Sequence, residues 1–172
     1  MRFGKSLLLA FLCAMIPVLE LRAAVFIPWA QMLAAGTAPT AANLLLIYVV
    51  TVLGNLLPVP FILLFIPKIL SFLDRFRPFR PIVAWLRKKA EKHSGQVLRG
   101  AFIGLFTFVF LPVPGTGAWT GSLVAALFGM PRRRSFLVIS LGVACCGILM
   151  NLICWLLLYQ GVEWLRFFVK SV

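Results

Sequence analysis

The chain has 172 residues, is 62% hydrophobic and has a mean hydropathy of +1.04. A soluble domain is roughly 45–50% apolar, so this composition reads as an integral membrane protein. Seventeen Lys and Arg stand against four acids, Glu20, Asp74, Glu91 and Glu163, for a net charge of +13. Such charge suits membrane topology and anionic headgroups, and no soluble basic face suggests nucleic acid.

The N-terminal MRFGKSLLLAFLCAMI, with Arg2 and Lys5 before an apolar run, imitates a signal peptide. Glu20 and Arg22 follow at once, and the segment is read as part of the mature protein. Four apolar blocks then succeed one another, at about 6–35, 43–66, 100–129 and 136–160. The first is interrupted by PVLELR, Pro17 to Arg22. The second is long enough to cross a membrane and carries Pro58 and Pro60, which predict a kink.

Between the pairs lies a basic stretch, 68–99, with nine cations and two acids. Ile82, Leu86, Ala90 and Val97 fall near one helical face, with Trp85 beside it. That pattern predicts an amphipathic helix in the headgroup region, or a solvated loop helix. The link 130–135, MPRRRS, adds Arg132, Arg133 and Arg134. The positive-inside rule places 68–99 and 130–135 in the cytoplasm.

Block 100–129 therefore starts and ends on one side. Two spans across about 30 Å of hydrocarbon need roughly 40 residues at 1.5 Å rise, and the block is shorter. It is expected to enter and return as a re-entrant hairpin that turns at LPVPGTG, 111–117. Irregular backbone at depth is tolerated only where protein or a watered cavity satisfies it. Block 136–160 is long enough to span.

The hairpin-plus-span pattern occurs twice. MIPVLELRAA aligns with FLPVPGTGAW, and Leu53-Gly54 with Leu141-Gly142. Pro17 and Pro112 are 95 residues apart, Gly54 and Gly142 88. One crossing between the copies would invert the second, an arrangement found in transporters. An alternative stays open in which 6–28 spans once, with the N-terminus inside.

Glu20 and Arg22 are the first candidates for chemistry. Each costs about 2.5–3.5 kcal/mol at the bilayer centre on insertion scales. Their functional reading is a proton-carrying carboxylate beside a cation that binds an anionic group. The structural alternative is a self-neutralising pair. In the second hairpin, a helix starting after Pro114-Gly115 would aim N–H groups and a positive dipole end at an anion. Pro112, Pro114, Gly115, Thr116, Gly117, Trp119 and Thr120 are the candidate binding residues there. The alternative is a tight packing turn. Gly117, Gly121, Ala125 and Gly129 form a small-residue stripe, read as helix packing. Asn55 and Asn151 are candidate cargo contacts or, more blandly, interhelical hydrogen bonds. Cys13, Cys145, Cys146 and Cys154 read as small buried hydrophobes. No zinc-ligand spacing, nucleotide-binding motif or nucleophile–base pair is present, so no metal, cofactor or enzyme activity is expected.

PVLELRAA, LGNLLPVPFILLF and LPVPGTGAWTGSLVAALFGM resemble the bacterial and archaeal small multidrug export proteins, distant relatives of the DedA/VTT membrane proteins. The resemblance runs over about residues 10–150 and is strongest at 111–130. The chain departs from the family's usual ELRG-A-IP at Ala23, with its proline later, at Pro28. The resemblance implies two facing re-entrant loops, each paired with a spanning helix. For DedA-type relatives it implies movement of lipids such as undecaprenyl phosphate, linked to proton-motive force. The family's own name implies drug export.

The expected architecture is an all-α integral membrane protein over 1–172. Repeat 1 is about 6–67, the cytoplasmic linker 68–99 and repeat 2 about 100–160. Each repeat is a re-entrant helical hairpin followed by a kinked or straight transmembrane helix. The expected function is multi-pass inner-membrane transport of an amphiphile with an anionic headgroup. Glu20 would couple protons, and Arg22 would meet the second turn at the midplane. The alternatives are a proton-coupled exporter of hydrophobic cations and a non-transporting scaffold that binds anionic lipid. Membrane lipids are the expected partners, nucleic acid is not, and assembly with further copies is left open.

Overall fold

The computed structural model describes residues 3–76, 78, 80, 81, 84, 95–113 and 115–161. Every regular element among them is helical. The elements are α1 (Phe3–Ala14), α2 (Glu20–Ala24), α3 (Phe26–Ala34), α4 (Ala41–Leu56), α5 (Pro58–Leu73), α6 (Gly95–Phe110), α7 (Ala118–Leu127) and α8 (Arg132–Cys154). A π-helical stretch, Trp155–Gln160, continues α8.

Prolines set most of the breaks. α1 tightens at its end through Met15 N–H to Leu12 O and Ile16 N–H to Cys13 O. Pro17 then has no N–H to offer the helix and disfavours helical backbone at Ile16. No unbroken helix forms over 6–28. Pro28 likewise cannot bond Ala24 O, and α2 gives way to α3 at Val25. Pro58 and Pro60 remove the donors that would reach Gly54 O and Leu56 O. The expected break is confined to Leu57, which keeps helical backbone angles. Ala41–Leu73 is therefore an apolar helical stretch interrupted at Leu57.

Two elements are long and apolar enough to cross a membrane, Ala41–Leu73 and Arg132–Leu158. The others are short. At 1.5 Å per residue α1, α6 and α7 reach only about 18, 24 and 15 Å, against about 30 Å of hydrocarbon. α5 continues through Pro67 and Lys68 to Leu73, and α6 begins at Gly95, so helix reaches into both ends of the basic stretch. The amphipathic face expected over Ile82 to Val97 lies outside the described side chains.

The chain divides into two compact units, Met1–Asn55 with Ala144–Val172, and Leu56–Val143. In the first unit α1 packs on α2 and α3, so the chain folds back on itself. Ala10, Ala14 and Ala24 are buried between these legs, with Cys13 and Ile27 against them. Small side chains let the backbones approach closely. Gly54 of α4 lies so near α1 that a Cβ there would sit 2.6 Å from Phe11 O. In the second unit α7 packs on both α5 and α6. A Cβ on Gly121 would meet Val109 at 2.6 Å, and one on Gly142 would lie 3.3 Å from Phe106 O. The small-residue stripe on α7 is thus a packing surface, as its bland reading has it.

Some contacts within the two units are of the same kind. Gly54 faces Phe11 O and Gly142 faces Phe106 O. Phe11 and Phe106 are 95 residues apart, the offset between Pro17 and Pro112. The second legs end alike. Thr37 N–H bonds Met32 O beside left-handed Gly36, and Met130 N–H bonds Ala125 O beside left-handed Gly129.

Candidate functional site

Glu20 opens α2 directly after the first turn and is only 4% exposed. Its N–H bonds Ile16 O, which closes the turn. Its φ is +48°, and it is the one non-glycine residue with positive φ among those described. The residue 95 positions on is Gly115, with φ +85°. A side chain in left-handed backbone costs about 1–2 kcal/mol. The same backbone position is thus occupied by glycine in one hairpin and by a buried carboxylate in the other.

Arg22 Nη1 donates to Glu20 Oε2 at 3.2 Å, with the side chains 12% and 5% exposed. The pair is nearly closed to the surroundings. Across from it, on α8, Arg22 also reaches the Cys146 thiol, and Cys145 is nearby. Cys146 was legible only as a small hydrophobe, because nothing in the sequence brings position 146 to position 22.

Two helix contacts frame this unit. Trp29 Nε1 donates to Asn151 Oδ1 at 3.1 Å, and Asn151 Nδ2 donates to Gly147 O at 3.0 Å. Asn151 therefore ties α8 to α3. Trp29→Phe is expected to lower stability by about 1 kcal/mol through the lost bond. Adding Asn151→Leu to it is expected to cost little more, checked by unfolding in detergent. Asn55 is 4% exposed, and its Oδ1 has no hydrogen-bond partner among the described residues.

The second turn belongs to the other unit. Gly117 caps α7 in extended backbone. Thr120 Oγ1 accepts from Gly117 N–H at 3.0 Å and donates to Gly115 O at 2.8 Å. Thr116 Oγ1 donates to Val113 O and Leu111 O, and Thr116 N–H bonds Val113 O. This corrects the expectation of free amides at Thr116 and Gly117. Short hydroxyl side chains compete for nearby backbone groups, and here they stitch the turn to itself. Pro112 and Gly115 are exposed and Trp119 is half-buried, while Pro114 lies outside the described residues.

A groove of about 370 Å³ runs between α6 and α7, walled by Gly104, Leu105, Phe108, Val124, Phe128 and Met130. Among the described residues it has no ionisable wall.

No curated protein and no solved structure matches the chain significantly. A family profile described as "Putative small multi-drug export protein" matches residues 20–149, well over half of the chain and starting at Glu20 itself. The description names a transporter rather than an enzyme. The chain belongs to this small multidrug export family.

Proposed function

We propose that the chain is a multi-pass inner-membrane transporter in which the Glu20–Arg22 pair binds a proton and cargo together. The observation that carries this reading is the pair itself: two charges buried within one apolar hairpin, one of them on left-handed backbone. Strained residues of this kind persist where the surroundings over-determine them, and they cluster at functional sites.

The pair has two natural states. With Glu20 ionised, Arg22 is neutralised internally. A proton on Glu20 Oε2 dissolves the ion pair and leaves the guanidinium to a phosphate, which it can hold with two parallel hydrogen bonds. Loss of the proton restores the pair and expels the anion. An amphiphile with an anionic headgroup, such as a polyprenyl phosphate or a phospholipid, therefore binds together with a proton. In the second hairpin the exposed Pro112 and Gly115 are the part left to line a cargo path, since Thr116 and Thr120 hold the turn.

The family description favours a second reading, proton-coupled export of hydrophobic cations. There the cation would pair with ionised Glu20 and would compete with the proton. The two readings have opposite linkage. Acidification strengthens binding of a phosphate lipid in the first and weakens binding of tetraphenylphosphonium in the second. Arg22→Lys keeps the charge but loses the fork and is expected to weaken phosphate-lipid binding, Arg22→Gln more so. Unchanged lipid affinity in both variants would refute the phosphate reading. Tighter tetraphenylphosphonium binding in Arg22→Gln would favour cation export.

The matched contacts of Gly54 and Gly142, together with Glu20 and Gly115, support a duplicated hairpin-plus-span unit. The short legs support re-entrant hairpins, and the basic stretches support cytoplasmic loops at 68–99 and 130–135. Single cysteines at positions 85 and 133 are expected to label from the same, cytoplasmic side. Labelling from opposite sides would overturn the re-entrant assignment of 100–129.

A further inference from the structure

We infer a second, separate anion site in the Leu56–Val143 unit: a cleft where Lys68, Arg75 and Arg132 converge to hold the phosphate of an anionic lipid headgroup. The cavity is about 400 Å³ and is lined by Pro67, Lys68, Ser71, Phe72, Arg75 and Arg132. Among the described residues three of its six walls are cationic and none is a carboxylate.

Helix geometry builds the cleft. Lys68, Ser71 and Phe72 share one face of α5 near its end, and Arg75 follows in the turn just beyond it, its N–H bonded to Phe72 O. Ser71 Oγ donates to Pro67 O at 2.9 Å. Lys68 Nζ stands 5.6 Å from the centre of the Phe65 ring. Arg132 is the first residue of α8. All three cations are exposed. Like charges around one concavity reinforce each other's field and raise the local concentration of anions.

The depth of the cleft selects the source of the anion. Each cation sits at an end of a long apolar helix, Lys68 and Arg75 where Ala41–Leu73 finishes and Arg132 where Arg132–Leu158 starts. In a membrane that is the level of lipid headgroups, where each Lys or Arg near an anionic surface adds about fivefold to affinity. Phe72 supplies an apolar wall toward the acyl side. The cleft shares no residue with the Glu20–Arg22 pair, so it stands whether or not that pair moves cargo.

The test uses the full-length protein in nanodiscs of phosphatidylcholine carrying a small fraction of phosphatidic acid. Retained phosphatidic acid is counted by native mass spectrometry. Lys68→Gln/Arg75→Gln is expected to weaken retention more than tenfold, and Arg132→Gln alone about fivefold. Arg133→Gln/Arg134→Gln removes the same charge from exposed positions outside the cleft and is expected to weaken retention clearly less than Lys68→Gln/Arg75→Gln does. The conservative Lys68→Arg/Arg75→Lys is expected to retain lipid, which separates lost binding from lost folding. Competition with millimolar inorganic phosphate separates the sources: persistence assigns the cleft to a lipid-borne phosphate, and displacement assigns it to the free anion. Equal losses in the two Gln doubles, or no loss in either, would overturn the site.

Discussion

Glu20→Gln is expected to abolish proton-linked transport while the protein still inserts and purifies folded. The amide keeps the shape of the side chain and an acceptor for Arg22, but it has no proton to exchange. A second variant makes the claim sharper. Glu20→Gly/Arg22→Met removes both buried charges and gives the left-handed position, φ +48° in the protein, the residue that tolerates it. Replacing a buried ion pair by apolar groups is often stabilising by about 1–4 kcal/mol, and relief of the backbone adds about 1–2 kcal/mol. The double variant is therefore expected to unfold later than the parent and to transport nothing. A drop in stability with transport intact would make the pair structural. The contrast follows from a general trade, in which functional sites hold features that stability alone would remove.

Gly54→Ala is expected to destabilise the first unit by about 1–3 kcal/mol. The added Cβ would lie 2.6 Å from Phe11 O, a backbone atom that no side-chain rearrangement can move aside. Gly121→Ala meets an equally short contact, but with Val109 Cγ2, a side-chain atom. Val109→Ala is expected to rescue Gly121→Ala, whereas Phe11→Ala is expected not to rescue Gly54→Ala. Gly4→Ala, with nothing within 4 Å of its Cβ, is the neutral reference. Unfolding midpoints of the purified variants check the series. Rescue of Gly54→Ala by Phe11→Ala would mean that the close approach of α1 and α4 is not a backbone contact.

Much of this was legible from residue order, for identifiable reasons. Prolines act through their own missing N–H, so the turn after Ala14 and the break before Pro58 can be read locally. Leg length is a count, so the shortness of the second hairpin could be read too. The 95-residue offset between Pro17 and Pro112 could be read, but the part of Phe11 and Phe106 in the glycine contacts could not. What could not be read depends on contacts between distant residues. Trp29 meets Asn151 across 122 positions, and Cys146 meets Arg22 across the fold. The turn 111–117 misled differently. Its glycines and prolines announce irregular backbone, but whether amides stay free depends on rotamers of Thr116 and Thr120. The cleft at Lys68, Arg75 and Arg132 was hidden inside what the sequence offers only as topological charge.

The most direct test of the central claim is translocation in sealed liposomes containing the purified protein and a fluorescent polyprenyl phosphate. An imposed pH difference is expected to drive the lipid between leaflets with proton movement in the same direction, and Glu20→Gln is expected to stop both. Tetraphenylphosphonium moving against the protons would assign the pair to cation export instead. Liposomes that move neither compound, or move the lipid equally well with Glu20→Gln, would contradict the account.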